Sequence, residues 1–364
     1  MTDPSSYAEN VSESLNILFM PRSNENPYQS SLMESLGESG HTVWVGGGNP
    51  INFARGISEN GIPDVIHVHW LATYLIGDSW ITTLLKSITF GVCALFVKLI
   101  GIKLVWTVHN LAEHERRHPR WERFVKSLYS GYIFDRLIVH CSSAVELVKD
   151  TFGCEGDKID VVPHANYIGL YPDSISEERA RAELGIDQDK TLFLHFGQIR
   201  DYKRVPWLME YFNRTCDEDA LLLVAGNART EELEKAVTDR QRNCERIYTE
   251  LRFIPEEEVQ YYFRAADAMI LGFDKVLTSG SAVLAMSFGL PIVSPRLGCL
   301  PDMIAEDGGF FYKNDDPDEL VQAIERALDC ELNDAGTANF QRAKHFTWDQ
   351  MASLTVESYL HPFE

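Results

Sequence analysis

The sequence contains no C-x-x-C pair, no G-x-G-x-x-G run and no low-complexity tract. It also has no internal repeat with a period of about 20–50 residues. The first absence removes the usual zinc-ribbon and redox signatures. The second removes the dinucleotide fingerprint, because the triple glycine of VGGGNP (45–50) lacks its spacing. The others remove solenoids and disordered tracts. Basic residues are scarce: 33 Lys and Arg stand against 54 Asp and Glu, a net charge of −21. That balance argues against a nucleic-acid partner. The acidic excess is uneven, with 13 basic against 18 acidic residues over 1–170 and 20 against 36 over 171–364. The seven cysteines (93, 141, 154, 216, 244, 299 and 330) are odd in number, and no secretory signal opens the chain. Reduced cysteines and a cytoplasmic location are therefore expected.

A chain of 364 residues can bury two cores. Strand-like runs alternate with helical ones: NILFM (16–20), TVWVG (42–46), DVIHVHW (64–70), KLVWTVH (103–109) and RLIVHCS (137–143). After a Pro- and Gly-rich pause at 161–178, the series resumes with TLFLHFG (191–197), ALLLVAG (220–226), IYTELRFI (247–254), AMILGF (268–273) and PIVSP (291–295). Such alternation marks parallel sheets covered on both faces. The expected fold class is α/β, with two doubly wound Rossmann-like domains facing a central cleft. Their expected limits are 14–165 and 166–345, and 346–364 is expected to be a terminal helix returning to the first domain.

The longest apolar stretch, WITTLLKSITFGVCALFVKLI (80–100), is about long enough to span a bilayer. Lys86 and Lys98 interrupt it, and a strand-like run follows at once, so it reads as a helix packed on a sheet, with membrane contact as the alternative. His67 and His69 of HVHW share one strand face and read as buried structure.

Two loops carry phosphate chemistry. In HFGQIRDYKRV (195–205) a strand ends at Gly197 and a helix opens near Val205–Pro206. Backbone N–H groups and a helix dipole there suit an anion, and Arg200 and Lys203 add positive charge. In VLTSGSAVLAMSFGLPIV (276–293), Thr278, Ser279, Gly280 and Ser281 offer hydroxyl and N–H donors before an apolar helix. An ordinary surface turn and an ordinary N-cap are the alternatives for the two loops.

The order G-x5-K, RFIPEEEVQYYFRAADAMIL, SGS helix, GLPIVSPRLGCLPDMI and EDGGFFYKNDDPDELVQAI resembles the GT-B-fold glycosyltransferases, closest to the large family-4 (group 1) type. The resemblance covers nearly the whole chain and is strongest over 191–325. It implies that the second domain binds the nucleotide and the first the acceptor. Lys203 matches the lysine that holds the donor diphosphate, and Gly197 the turn glycine before it. Gln198 stands where the family usually has arginine, with Arg200 two positions on as the substitute charge. Phe253 and Ile254 lie where the base is held, and Pro163–His164 where the family places a hinge turn. The family's Glu-x7-Glu positions fall on Val276 and Leu284, so both carboxylates are missing, and Asp274 lies two residues before the first. The LTSGS form is similar to GT-B enzymes that invert the anomeric centre, including β-mannosyltransferases. The resemblance therefore implies an inverting transfer from a UDP- or GDP-linked sugar to a glycan or lipid-linked acceptor, in glycan, exopolysaccharide or glycolipid assembly, with no metal or other cofactor.

Inversion needs a general base on the acceptor hydroxyl. WTVHNLAEHERRHPRWERF (106–124) offers His109, which matches a family histidine near the donor sugar, then Glu113 and Glu115. The H-x4-H-x3-H spacing of His109, His114 and His118 is no established ligand pattern, so no metal is expected. Asn26 and Tyr28 are candidates for contact with acceptor or donor. Arg116, Arg117, Arg120 and Arg123, with Lys126, Trp121 and Phe124, form a basic, aromatic segment suited to a lipid diphosphate or an anionic membrane surface. A solvated helix face is the alternative. On the membrane reading the protein is peripheral on the inner face of the plasma membrane. Two other classes stay open: a nucleotide-sugar epimerase of the same fold, and a non-catalytic nucleotide-sugar-binding subunit.

Overall fold

The structure is a computed structural model that describes residues 14–23, 27–48, 61–113, 115, 117–215 and 217–361. The first sheet contains β1 (Asn16–Met20), β2 (Thr42–Val45), β3 (Val65–Val68), β4 (Lys103–Thr107), β5 (Arg136–Val139) and β6 (Ile159–Val161), in the order β2-β1-β3-β4-β5-β6. The second contains β7 (Thr191–Phe196), β8 (Ala220–Ala225), β9 (Ile247–Glu250), β10 (Ala268–Ile270), β11 (Ile292–Pro295) and β12 (Gly309–Tyr312), in the order β12-β11-β10-β7-β8-β9. Every pairing is parallel. The central strands are apolar along their length: VIHV and ALLLVA are buried at every position. Covering helices on both faces leave no wet side for polar alternation.

Strand order reverses between β1 and β3 in the first sheet and between β7 and β10 in the second. Loops leaving the carboxyl ends of such neighbours diverge to opposite faces and open a crevice. The two crevices face each other, and they position the site. The terminal helix, Trp348–Leu360, crosses back to the first sheet. Ser35 Oγ donates to Asp349 at 3.0 Å, Tyr359 Oη meets His67 Nδ1 at 2.6 Å, and Lys103 Nζ donates to the Tyr359 carbonyl at 2.6 Å.

Two sequence expectations change here. The cysteines are not all reduced: Cys141, just after β5, and Cys299, after β11, form a disulfide with Cα atoms 5.5 Å apart. The pair is 158 residues apart in sequence, so only the facing of the two domains brings it together. Ser143 donates to Asp302 from its backbone N–H and its hydroxyl, both at 3.0 Å, along the same seam. Secondly, the Trp80–Leu99 helix packs by one face only. Thr83, Ser87, Phe90, Gly91, Ala94 and Val97 are buried, and its other apolar side chains are not. Gly91 lets Tyr129 of the Pro119–Tyr132 helix come close, its hydroxyl donating to the Ser87 carbonyl at 2.6 Å.

Candidate active site between the domains

The crevice of the second sheet forms a chamber of about 350 Å³. On one side β7 ends at Phe196, and Gly197 turns the chain with φ 106°, a left-handed value that favours glycine. A Cβ at Gly197 would lie 3.1 Å from Lys203 Nζ and 3.4 Å from Ser281 Oγ, so the glycine lets the cation and the hydroxyl converge. Arg204, next in the chain, adopts φ 51°, unusual for a residue with a side chain. Its guanidinium pairs with Asp315 and lies 4.1 Å from the Trp207 ring centroid, which holds the turn that sends Lys203 inward. Lys203 is only 7% exposed, and burial, then the charge of Arg200, brings its ammonium down to about 8.

On the other side, the loop after β10 delivers Thr278, Ser279, Gly280 and Ser281 to the wall, where the Gly280–Ser287 helix begins. Ser279 caps that helix by accepting from Ala282 N–H at 3.2 Å, and Ser281 Oγ donates to the Phe196 carbonyl at 3.3 Å. The helix start, Lys203 and the glycine turn together make an anion cradle. Val276 and Leu284 also line this chamber, and no Asp or Glu does so among the described residues.

A second chamber of about 700 Å³ opens against the first sheet, from the loops after β1, β3 and β4. Its walls carry Arg22, Lys86, Arg117, Lys126, Arg200 and Lys203, against one carboxylate, Glu113. In a chain of net charge −21 this is a local reversal of sign. Gln198, at the position expected for arginine, accepts from Arg200 Nε at 2.7 Å and so aims the displaced guanidinium. Lys126 is buried against Glu122 at 2.7 Å, and Lys86 Nζ donates to the carbonyls of Thr73 and Ile76 at 3.0 and 2.9 Å.

The two chambers share Trp70, His109, Asn110, Gln198, Tyr202 and Lys203. His109 therefore stands where they meet. Its ring stacks on Trp70, with centroids 5.1 Å apart and planes at 12°, and Tyr28 meets it edge-on at 4.9 Å. Its Nε2 lies 3.3 Å from His69 Nδ1. Behind it are His67, His140 and His164, all buried. His140 and His164 each place Nδ1 against a carbonyl, Val162 at 2.8 Å and Ala165 at 2.7 Å, so both carry their proton on Nδ1. Burial, reinforced by the neighbouring imidazoles, holds His109 well below its ordinary value. His69 is lowered the same way, and His67 falls to about 3. The cluster is neutral at pH 7.

The remaining expectations fare unevenly. Phe253 is 71% exposed and Ile254 is buried, and neither lines a chamber. They follow β9, the edge strand two places from the crevice, where Arg252 binds the loop back to Glu250 and Glu258. Glu115 lines neither chamber: it pairs with Arg117 and, at 3.5 Å, with Arg229 of the second domain. The hydrogen bond from Arg117 lowers its pKa. Glu113 faces the larger chamber, and burial raises its carboxyl despite Arg117 at 3.5 Å. Among the described residues, the basic segment does not form one patch. Arg117 turns to Asp78, Glu113 and Glu115, Lys126 points inward, and only Arg120 and Arg123 lie exposed on the helix. Asn26, His114 and Arg116 lie outside the described residues. Trp70, Asn110 and Tyr202 also line both chambers; each lies inside a strand-end motif but carries no charge to single it out, and Lys86 reaches the larger chamber from within an apolar run.

Comparison with known proteins points the same way. The family described as glycosyl transferases group 1 matches residues 190–330. A GDP-mannose:glycolipid 4-beta-D-mannosyltransferase from Xanthomonas campestris pv. campestris is 26% identical over 349 residues, covering 93% of this chain and 89% of the relative. A D-inositol 3-phosphate glycosyltransferase from Pseudarthrobacter chlorophenolicus is 26% identical, covering 82% and 71%. Among solved structures, sucrose-phosphate synthase from Thermosynechococcus elongatus aligns with TM-score 0.74 at 16% identity, over 94% of this chain and 97% of that one. Anabaena HepE in complex with UDP aligns with TM-score 0.71 at 15% identity, over 94% and 99%.

Proposed function

We propose that this chain, a glycosyltransferase of the GT-B fold, moves a sugar from a nucleotide-diphosphate donor to a lipid-linked glycan with inversion at the anomeric carbon. The observation that carries the reading is the make-up of the smaller chamber: an anion cradle at its base, His109 at its mouth, and no carboxylate on its wall among the described residues. The leaving nucleotide diphosphate gains charge as the glycosidic bond breaks, and Lys203 with the Ser279–Ser281 helix start stabilises that charge. A double displacement needs a side-chain nucleophile at the anomeric carbon, commonly a carboxylate. Single in-line attack by the acceptor hydroxyl needs only a base.

The position of His109 where the two chambers meet supports that role. Burial keeps it neutral, and its Nε2 meets His69 Nδ1 at 3.3 Å. In the base-competent tautomer Nε2–H donates to His69 Nδ1, leaving the Nδ1 lone pair to take the hydroxyl proton. The acceptor oxygen then bonds to the anomeric carbon as the diphosphate departs. An imidazolium in this cluster is costly on its own, and the bound diphosphate offsets it.

The cationic larger chamber suits an acceptor that carries phosphate, and the mannosyltransferase relative is named for a glycolipid acceptor. GDP-mannose is accordingly the first donor to test, with UDP-glucose beside it. The experiment follows transfer to a lipid-diphosphate glycan and assigns the product anomer by proton NMR. A β-linked product from an α-linked donor is expected, and His109→Ala should cut turnover on an intact fold while nucleotide affinity changes little. An α-linked product refutes inversion. Sugar isomerisation without an acceptor, or donor binding without turnover on any acceptor, refutes the transfer itself.

A further inference from the structure

The Trp80–Leu99 helix leaves a continuous apolar stripe in solvent. Ile81, Leu85, Ile88, Val92, Leu95, Phe96 and Leu99 are all more than half exposed, Val92 at 62% and Leu99 at 85%. Apart from Phe96, which follows Val92 by four, their spacing alternates between four and three residues, so they lie along one side of about 30 Å of helix. The stripe continues onto the adjoining Pro119–Tyr132 helix through Phe124, Leu128 and Tyr132, also exposed. An apolar patch of this extent is far outside what a free surface ordinarily carries.

We propose that this two-helix face is a membrane-docking surface, lying in the plane of an anionic bilayer with its apolar stripe among the acyl chains. By length and apolarity the helix would also pass as a membrane span. Its other face, however, packs on the first domain through Phe90, Ala94 and Val97, so it lies on a bilayer and does not cross one. Charge selects the lipid. The helix carries no acidic residue; its Lys98 is paired with Asp135 and its Lys86 with the Thr73 and Ile76 carbonyls, and the cations left exposed are Arg120 and Arg123 at the start of its neighbour. Set against anionic headgroups these cations are favourable. Set against a second copy across a two-fold axis, they would bring like charges together. The geometry also joins the surface to the site, because Lys86 leaves the helix and lines the larger chamber. A lipid-borne acceptor would then enter beside the docked face. That consequence rests on the proposed transfer, whereas the docking itself does not.

Vesicle binding separates the two ideas, because it is measured with neither donor nor acceptor. The full chain is sedimented with phosphatidylcholine vesicles containing about one-third phosphatidylglycerol. Binding is expected, and much of it should survive 1 M salt, where the screening length is only about 3 Å. The triple change Ile88→Glu, Val92→Glu and Phe96→Glu should reduce partitioning by about tenfold or more. These sites are exposed, so folding should be preserved. As a readout that needs no charge change, vesicles with brominated acyl chains should quench Trp80, seen as the difference between the parent and Trp80→Phe. Three results would overturn the proposal: no vesicle binding, binding abolished by salt, or a dimer that the triple change dissociates while vesicles bind neither form.

Discussion

Replacing Lys203 with methionine should stabilise the unliganded protein while disabling it. Lys203 is charged at pH 7 in a site that desolvates it, and its pKa stands near 8 against an ordinary 10.5. At about 1.4 kcal/mol per pKa unit, the folded state carries a penalty of about 3 kcal/mol. The penalty is present in full below pH 8, where folded and unfolded chains both hold the proton. Between 8 and 10.5 the folded chain releases it while the unfolded chain keeps it, so stability rises with pH across that window. Methionine keeps the length and removes the charge. For a chain of this size the full penalty corresponds to an apparent Tm rise of about 4 °C at pH 7. The difference should vanish above pH 10.5. Turnover should move the other way, by roughly 10²–10³-fold, as expected when a group facing the developing charge is lost. Melting curves across pH, with and without GDP or UDP, check both halves, and nucleotide should raise the parent's Tm far more than the variant's. A methionine variant less stable than the parent at pH 7, or one with near-parental turnover, would refute the account of Lys203 as a desolvated cation that stabilises a bound diphosphate.

Acid should unfold the protein steeply. His67, His69, His109, His140 and His164 are all held below 6.5 when folded, so their contribution is present above pH 6.5 and is lost as pH falls towards their folded values. With each histidine worth up to about 1.4 kcal/mol per pH unit, urea titrations at pH 7, 6 and 5 should show a drop of several kcal/mol, and a flat profile would rule out the neutral cluster. Cys141→Ser should lower the unfolding temperature under non-reducing conditions, with about 5 kcal/mol as the ceiling for a cross-link closing a loop this long. Reductant should do the same to the parent and nothing further to the variant. Equal melting of both proteins with and without reductant would show that the link contributes nothing.

Much of this molecule is local and therefore legible. Short apolar runs such as ALLLVA, bounded by turn residues, read as buried strands, glycine and proline mark where they turn, and alternation with helices points to parallel sheets. Local chemistry also exposed the candidate phosphate loops, because Gly197, Lys203 and Ser279–Ser281 lie in the loops that directly follow their own strands. The missing carboxylates at Val276 and Leu284 were visible for the same reason. What the chain could not reveal depends on side-chain geometry or on residues far apart in sequence. Gln198 and Arg200 become one device only through side-chain geometry, and Glu115 is held outside both chambers by Arg117 of its own loop together with Arg229 of the other domain. Cys141 finds Cys299 because two crevices face each other, and four other histidines gather at the ring of His109. The apolar helix is the sharpest case: its composition is equally that of a core helix and of a membrane helix. Only the packing of Phe90, Ala94 and Val97 on the first domain decides that Ile88, Val92 and Phe96 face outward, since burial belongs to neighbours that the sequence does not order in space.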